Sequence, residues 1–300
     1  MTTTSASISP CEAEARASTS CAAGLPGAIP AGVRAGQGRL AVIRRGQRSV
    51  VCRAFATSPL RLLTPLNHGH AAWVYTSSYG GGMVDGDAIR MHTTIGANAT
   101  AFVSTQASTK IYRSPRGTTV ETTAEVDDGA LLIVAPDPVV CFADSRYRQH
   151  QRFDLAADAG LVLVDWVSSG RRESGERWAF DAYESRTVLR QDGRLRVHEA
   201  VSLRASDGDL AVRLDPYDVL AVAVVIGAPL RREVAGLVGR VEDRPLTRYP
   251  VALAAATAVG DSGCVLRLAG RSVEEVGYTL RDLLDFVPDR LGDSPWARKW

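Results

Sequence analysis

The sequence contains little that would anchor a chain in a membrane or cross-link it covalently. Its 300 residues include five cysteines, and none of them forms a Cys-x-x-Cys pair. Scattered cysteines in an odd number exclude a disulfide scaffold and a zinc finger or ribbon, and they suit a reducing compartment. No apolar run approaches the roughly 18 residues of a membrane-spanning helix. The N-terminus also lacks the regions of a secretory signal peptide, so we expect a cytoplasmic protein without membrane contact.

A marked excess of either charge is also lacking. The chain carries 35 Lys and Arg against 33 Asp and Glu, a net charge of +2. Proteins that track nucleic acid usually present a clustered basic face, so this near-balance argues against a nucleic-acid partner. Lysine itself is scarce, since Lys110 and Lys299 are the only two, and a lysine inside a motif therefore stands out.

The chain divides into two regions of different complexity. Residues 1–37 are dominated by Ala, Ser, Thr, Gly and Pro and contain few bulky side chains. Such a segment buries too little apolar area to offset the entropy lost on ordering, which predicts a disordered tail. Hydrophobic patterns begin near Arg39, and we predict that residues 38–300 form a single domain.

The hydrophobic patterns favour a mostly β fold. Polar and apolar residues alternate over residues 118–126 and 195–203, as in strands with one buried face. Continuous apolar runs at residues 131–134, 161–164 and 219–226 are typical of strands buried on both faces. Turn residues separate these segments through most of the chain.

One helix is expected near the C-terminus. Ser272 and Glu275 form a capping box, in which side chains accept hydrogen bonds from backbone N–H groups of the first turn. A stripe of apolar residues with helical spacing follows, at Val276, Leu280, Leu283, Leu284 and Val287. Pro288 is expected to end this helix. Residues 251–259 are rich in alanine and fit a short helix or a strand.

A glycine-rich stretch at residues 80–87 carries two carboxylates, Asp85 and Asp87. It lacks the Gly-Lys-Ser/Thr of a phosphate-binding loop. The carboxylates can hold a hard or borderline cation, or they can cap the turn by accepting hydrogen bonds from the backbone. Both interpretations stay open, and the spacing favours the capped turn.

Residues 104–114 are dense in hydroxyl groups and include Lys110. A serine–lysine dyad is one interpretation, but no turn that would form an oxyanion hole is recognisable. The same residue types suit an ordinary strand or turn.

Two further positions are candidate metal or partner contacts. Pro136 and Pro138 flank Asp137 and hold it in an extended conformation, so its carboxylate is presented rigidly. His68 and His70 can place two imidazoles on one side of an extended strand, but without a third His or Cys nearby they are a weak metal signal.

Several of these segments, taken in order, resemble the urease accessory protein family UreD, which is called UreH in some organisms. The most specific segment is residues 104–113, Ser-Thr-Gln-Ala-Ser-Thr-Lys-Ile-Tyr-Arg, which is similar to the signature T-T-Q-A-x-T-K-[VI]-Y-R. Residues 81–87 resemble the signature G-G-x-x-x-G-D. The resemblance covers about residues 38–290 and includes further segments within residues 58–63, 136–149 and 170–180.

The resemblance implies a mainly β assembly of stacked sheets with a few helices, acting as a non-catalytic scaffold. It implies three protein partners: apo-urease, a helical accessory subunit similar to UreF and, through that subunit, a nickel-carrying GTPase similar to UreG. It also implies that no cofactor is bound tightly, and that nickel(II) passes transiently through an internal passage.

The resemblance also indicates which side chains would line such a passage. The candidates are Asp87, Asp85, Ser104, Thr105, Asp137 and Glu176. Carboxylates and hydroxyls can take up Ni²⁺ and release it, whereas a closed Cys/His cage would retain it. Lys110 and Arg113 are expected to fix the carboxylates by pairing with them.

Two functions of other classes stay open. One is a metal-dependent hydrolase that uses Asp85, Asp87 and the histidines, which tight stoichiometric metal binding by the isolated chain would favour. The other is a generic β-sandwich binding module whose partner is unrelated to urease.

Overall fold

A computed structural model describes residue 29 and residues 35–244 and 252–298 of the chain. Most of the predicted tail therefore lies outside the described residues, as do Val251 and Lys299. Within the range predicted as tail, Ile29 is buried and its carbonyl accepts a hydrogen bond from Arg90. The first strand begins at Gly36.

The described part of the chain forms mostly strands. In chain order these are β1 (Gly36–Arg45), β2 (Arg48–Ala56), β3 (Leu60–Leu63), β4 (Ala72–Ser78), β5 (Gly82–Met83), β6 (Ala88–Ile95), β7 (Thr100–Thr105), β8 (Thr109–Ile111), β9 (Thr118–Val126), β10 (Leu131–Val134), β11 (Val139–Cys141), β12 (Arg146–Leu155), β13 (Gly160–Ser168), β14 (Ala182–Gln191), β15 (Arg194–Arg204), β16 (Val219–Ile226), β17 (Ala252–Ala258) and β18 (Gly263–Gly270).

These strands form two large sheets. The seven-stranded sheet has the order β15-β14-β12-β9-β6-β1-β2. The eleven-stranded sheet has the order β17-β18-β16-β13-β10-β7-β4-β3, and the short strands β5, β8 and β11 extend it through the pairing of β11 with β13. The prediction of a mostly β fold with stacked sheets is confirmed.

The eleven-stranded sheet is the middle of three layers, which explains its continuous apolar runs. Along β13, Leu161 and Leu163 belong to the core that faces the seven-stranded sheet. Val162, Val164 and Trp166 point the other way, into a second core shared with the helices. Because a strand presents alternate residues to opposite faces, a strand in the middle layer needs apolar side chains on both.

The described residues include four α-helices: α1 (Leu210–Arg213), α2 (Arg231–Glu242), α3 (Val273–Leu283) and α4 (Val287–Leu291). The last three form the outer layer, whereas Leu210 of α1 belongs to the core between the sheets. The predicted cap of α3 is confirmed, since Ser272 Oγ accepts from Glu275 N–H at 3.1 Å. The second hydrogen bond differs from that of a capping box, because Glu275 Oε2 accepts from Arg271 N–H at 3.0 Å. The expected end at Pro288 is wrong: α3 stops at Leu283. Pro288 lies in the first turn of α4, where a backbone N–H is not needed. The alanine-rich stretch forms strand β17.

None of the helices in the described part of the chain combines the length and the apolar character required to cross a membrane.

Candidate functional site

A cavity of about 280 Å³ lies between the two sheets. Hydroxyl groups form much of its polar lining, from Thr76, Ser77, Ser78, Thr93, Ser104, Thr105, Ser108, Thr109 and Thr122. Two carboxylates, Asp137 and Asp165, also line it, and the described lining residues include no Lys, Arg or His. The described lining therefore offers the oxygen ligands that a hard or borderline cation takes.

One wall of the cavity brings together three of the residues predicted from sequence. Strands β7 and β10 are parallel neighbours, so the residues after their ends meet at one edge. Thr105 Oγ1 accepts the backbone N–H of Asp137 at 2.8 Å, and its hydroxyl lies 3.3 Å from Asp137 Oδ2. Ser104 Oγ donates to the carbonyl of Ala135 at 2.5 Å. Asp137 is only 5% exposed, so its carboxylate is oriented by contacts rather than by solvent.

The second carboxylate, Asp165, was not among the sequence candidates. It lies in the middle of β13 and accepts hydrogen bonds from Tyr183 Oη and Gln149 Nε2, both at 3.2 Å, and from Ser185 Oγ. Burial raises the pKa of the Asp165 carboxyl, and hydrogen bonds from Ser185, Tyr183 and Gln149 oppose that shift. The available signal was one ionisable residue inside an otherwise apolar strand, Leu161–Val167.

Neutral groups surround Asp165. Tyr147 and Tyr183 stack with their ring centroids 5.8 Å apart, and Tyr147 Oη donates to Gln149 Oε1 at 2.9 Å. Burial raises the pKa of both phenols and raises the pKa of Cys141 to about 12. These three groups therefore stay protonated near neutral pH.

The two carboxylates of the glycine-rich stretch lie elsewhere, although Gly81 and Met83 of the same stretch line the cavity. Asp87 Oδ2 accepts the N–H of Val84 at 2.9 Å, which closes the turn. Asp85 accepts from Arg116 Nε at 2.7 Å and from the Arg116 backbone N–H at 2.8 Å. The hydrogen bond from the Arg116 side chain lowers the pKa of Asp85. Neither aspartate is among the described residues that line the cavity, and their contacts match the capped-turn interpretation.

Glu176 is likewise paired at the surface. It accepts hydrogen bonds from the Arg171 guanidinium and from the N–H of Ala143 at 3.2 Å. The hydrogen bond from Arg171 is the main reason that the pKa of Glu176 is lowered. Arg171 also stacks on the ring of Phe142, with its guanidinium carbon 4.2 Å from the centroid.

The two predicted pairing residues do not contact the candidate carboxylates. Arg113 pairs with Asp144 at 3.5 Å, and both side chains are largely exposed. No salt bridge involves Lys110 among the described residues. The carboxylates pair with other arginines instead: Arg116 with Asp85 and Arg171 with Glu176. The spacing of the motifs does not reveal these contacts.

His68 and His70 lie in a bend rather than on a strand. The N–H of His68 donates to Asp293 Oδ2 at 2.9 Å, and Gly69 packs so closely on the chain after α4 that a Cβ would lie 2.2 Å from the Leu291 carbonyl. Within residues 35–244 and 252–298, no three His, Cys, Asp or Glu side chains group in a way that could hold a metal ion.

Known proteins resemble this chain over nearly its whole length. Residues 34–300 match the profile of the family described as UreD urease accessory protein. The "Urease accessory protein UreD" of Sorangium cellulosum is 46% identical over 267 residues, which cover 89% of this chain and 85% of the relative. The "Urease accessory protein D" of Arabidopsis thaliana is 34% identical over 291 residues, which cover 87% and 99%.

Proposed function

The chain belongs to the UreD family of urease accessory proteins, and we propose that it is a non-catalytic scaffold that passes nickel through its inter-sheet cavity during urease maturation. The family membership supports the role in urease maturation. We further propose the nickel passage and the individual protein partners.

One observation is the main support for the nickel passage. The described lining of the cavity combines two carboxylates and many hydroxyls and includes no cationic side chain. The sequence contains 35 Lys and Arg, so their absence from this surface is notable. Ni²⁺ is the cargo here. Weak oxygen ligands let it enter and leave, whereas thiolate and imidazole ligands would hold it more firmly.

The protein partners follow from the family. We propose that the chain binds apo-urease and a helical accessory subunit, and that this subunit brings a nickel-carrying GTPase to the complex. Ser104, Thr105 and Asp137 are the residues that we assign to the passage, because they meet at one wall of the cavity.

The test is a pair of neighbouring substitutions on β9. Thr122 lines the cavity, whereas Thr123 is exposed on the opposite face. Thr122→Phe should narrow the cavity, and Thr123→Phe adds the same ring outside it. Each variant is co-expressed with the urease subunits and the two accessory proteins. Urease nickel is measured by elemental analysis, and pull-down reports assembly.

We expect Thr122→Phe to lower urease nickel at least about fivefold, because a packed interior leaves no detour around an added ring. Thr123→Phe should stay near wild type, and both should assemble. Normal nickel with Thr122→Phe would refute the passage while leaving the scaffold role intact. Failure of the wild-type chain to bind apo-urease would refute the scaffold role.

A further inference from the structure

A second cavity, of about 200 Å³, lies on the opposite face of the eleven-stranded sheet, between that sheet and α3. The two cavities share four wall residues: Pro136, Asp137, Val164 and Trp166. The wall between them is therefore one side chain thick and lies within the sheet itself.

The sheet is interrupted at this wall. Strand β13 pairs with β10 as far as Leu163 and with β11 from Val167 onward. Pro136 and Pro138 fall in the break between β10 and β11, where a proline has no N–H to donate to a ladder. Residues 164–166 of β13 consequently have no ladder partner on that side among the described pairings.

One side chain closes the break. Trp166 Nε1 donates to the carbonyl of Pro136 at 2.8 Å, so a side-chain hydrogen bond takes the place of the missing backbone pairing. A side chain can change rotamer without unfolding a strand, whereas a ladder hydrogen bond cannot be opened alone.

The break also carries negative charge. Asp137 lies in it and Asp165 lies on the facing segment of β13, and both line the inter-sheet cavity. In the helix-side cavity the only described cationic lining residue is Arg281, which stacks on the exposed ring of Tyr278 at 4.7 Å. The two carboxylates of the inter-sheet cavity therefore lie at the break in the sheet.

We propose that the nickel route crosses the eleven-stranded sheet at residues 135–138, past Asp137 and Trp166, and opens beside α3. This inference rests on the proposed passage and adds its second half. Glu274 and Arg281 both line the helix-side cavity, so this opening presents one carboxylate and one guanidinium.

Glycine positions provide a matched test. A Cβ at Gly277 of α3 would lie 3.7 Å from Trp166, an ordinary contact. Gly277 lines the helix-side cavity, so we expect the ring of Gly277→Phe to project into it. Gly236 of α2 has open space around its Cβ position, which makes Gly236→Phe the control. Urease nickel and assembly are measured in the four-protein co-expression, beside Thr122→Phe.

We expect Gly277→Phe to lower urease nickel at least about fivefold, as Thr122→Phe does, while Gly236→Phe stays within about twofold of wild type. Normal nickel with Gly277→Phe but low nickel with Thr122→Phe would overturn the sheet crossing and leave the passage standing. Normal nickel in both would overturn the passage as well.

A second variant covers the case in which Gly277→Phe displaces a partner. Val164→Phe narrows the break from inside the sheet, where Val164 is buried and out of reach of any docked protein. Its thermal melt establishes that it is folded. Normal nickel in an assembled Val164→Phe complex contradicts the crossing. Because Val164 lines both cavities, low nickel supports the crossing when Gly277→Phe, which lies in the helix-side cavity alone, lowers it too.

Discussion

The carboxylates of two regions differ in what neutralises them. At the surface, Asp85 pairs with Arg116 and Glu176 pairs with Arg171. Between the sheets, Asp137 and Asp165 are held by hydroxyl and amide groups, and the described cavity lining contains no cation. The guanidinium partners of Asp85 and Glu176 leave those carboxylates little affinity for a metal ion, whereas the three described side chains that donate hydrogen bonds to Asp165 are neutral.

Adding a cation to the cavity should remove the difference between the two regions. Thr105→Lys places an ammonium beside Asp137, where it should pair with the carboxylate and repel Ni²⁺. We expect urease nickel to fall at least about tenfold, because the charge acts along the whole route. Val84→Lys, at an exposed position beside Asp87, is the control and should change nickel little. Equal nickel in the two variants would mean that the charge of the cavity is irrelevant.

Removing one carboxylate from each region should have a smaller effect. Asp137→Asn keeps the shape and the contact with Thr105 but removes the charge, and we expect a several-fold decrease in urease nickel. Asp85→Asn should leave nickel unchanged, since Arg116 already occupies that carboxylate. Elemental analysis of purified urease measures both, and a larger decrease for Asp85→Asn would reverse the assignment.

The two regions should also respond to pH with opposite signs. Folding raises the pKa of Asp165. The wild type therefore loses stability as pH rises from the pKa of Asp165 in the unfolded chain through its higher pKa in the folded protein. Asp165→Asn should gain on the order of 1–2 kcal/mol near neutral pH, because no charge is left to bury. That gain should vanish in acid, below the unfolded pKa.

The stability contribution of Glu176 changes with pH in the opposite direction, because folding lowers the pKa of Glu176. Its stabilisation is present above the unfolded pKa and is lost as pH falls through the folded value. Glu176→Gln should therefore be less stable than wild type near neutral pH and equal to it in acid. Denaturant unfolding at several pH values measures both differences, and parallel trends for Asp165→Asn and Glu176→Gln would contradict the comparison.

Local patterns predicted much of this molecule. Strand β9 has the predicted bounds, Thr118–Val126, and Ser272 caps α3 as expected. Ser104, Thr105 and Asp137 meet because β7 and β10 are parallel neighbours, although the sequence showed only that the residue types suit a cation.

Asp165 and the arginine partners escaped prediction for a shared reason. The surroundings of Asp165 come from β12 and β14 of the other sheet, and Arg116 reaches Asp85 from 31 residues away. Contacts of this kind depend on how the sheets stack and where the turns lead, which local periodicity does not encode.

The smallest expected effect concerns Asp87, the carboxylate that the family signature makes most conspicuous. Its Oδ2 accepts the N–H of Val84 and closes the turn, so Asp87→Ala should cost about 0.5–1.5 kcal/mol of unfolding free energy, the net value of one hydrogen bond. Asp87→Asn, which can still accept that N–H, should recover most of the loss. Because Asp87 lies outside the described cavity lining, both variants should deliver nickel normally once folded. A nickel defect that Asp87→Asn fails to rescue would show that its charge matters, and would give the surface turn a part in nickel delivery.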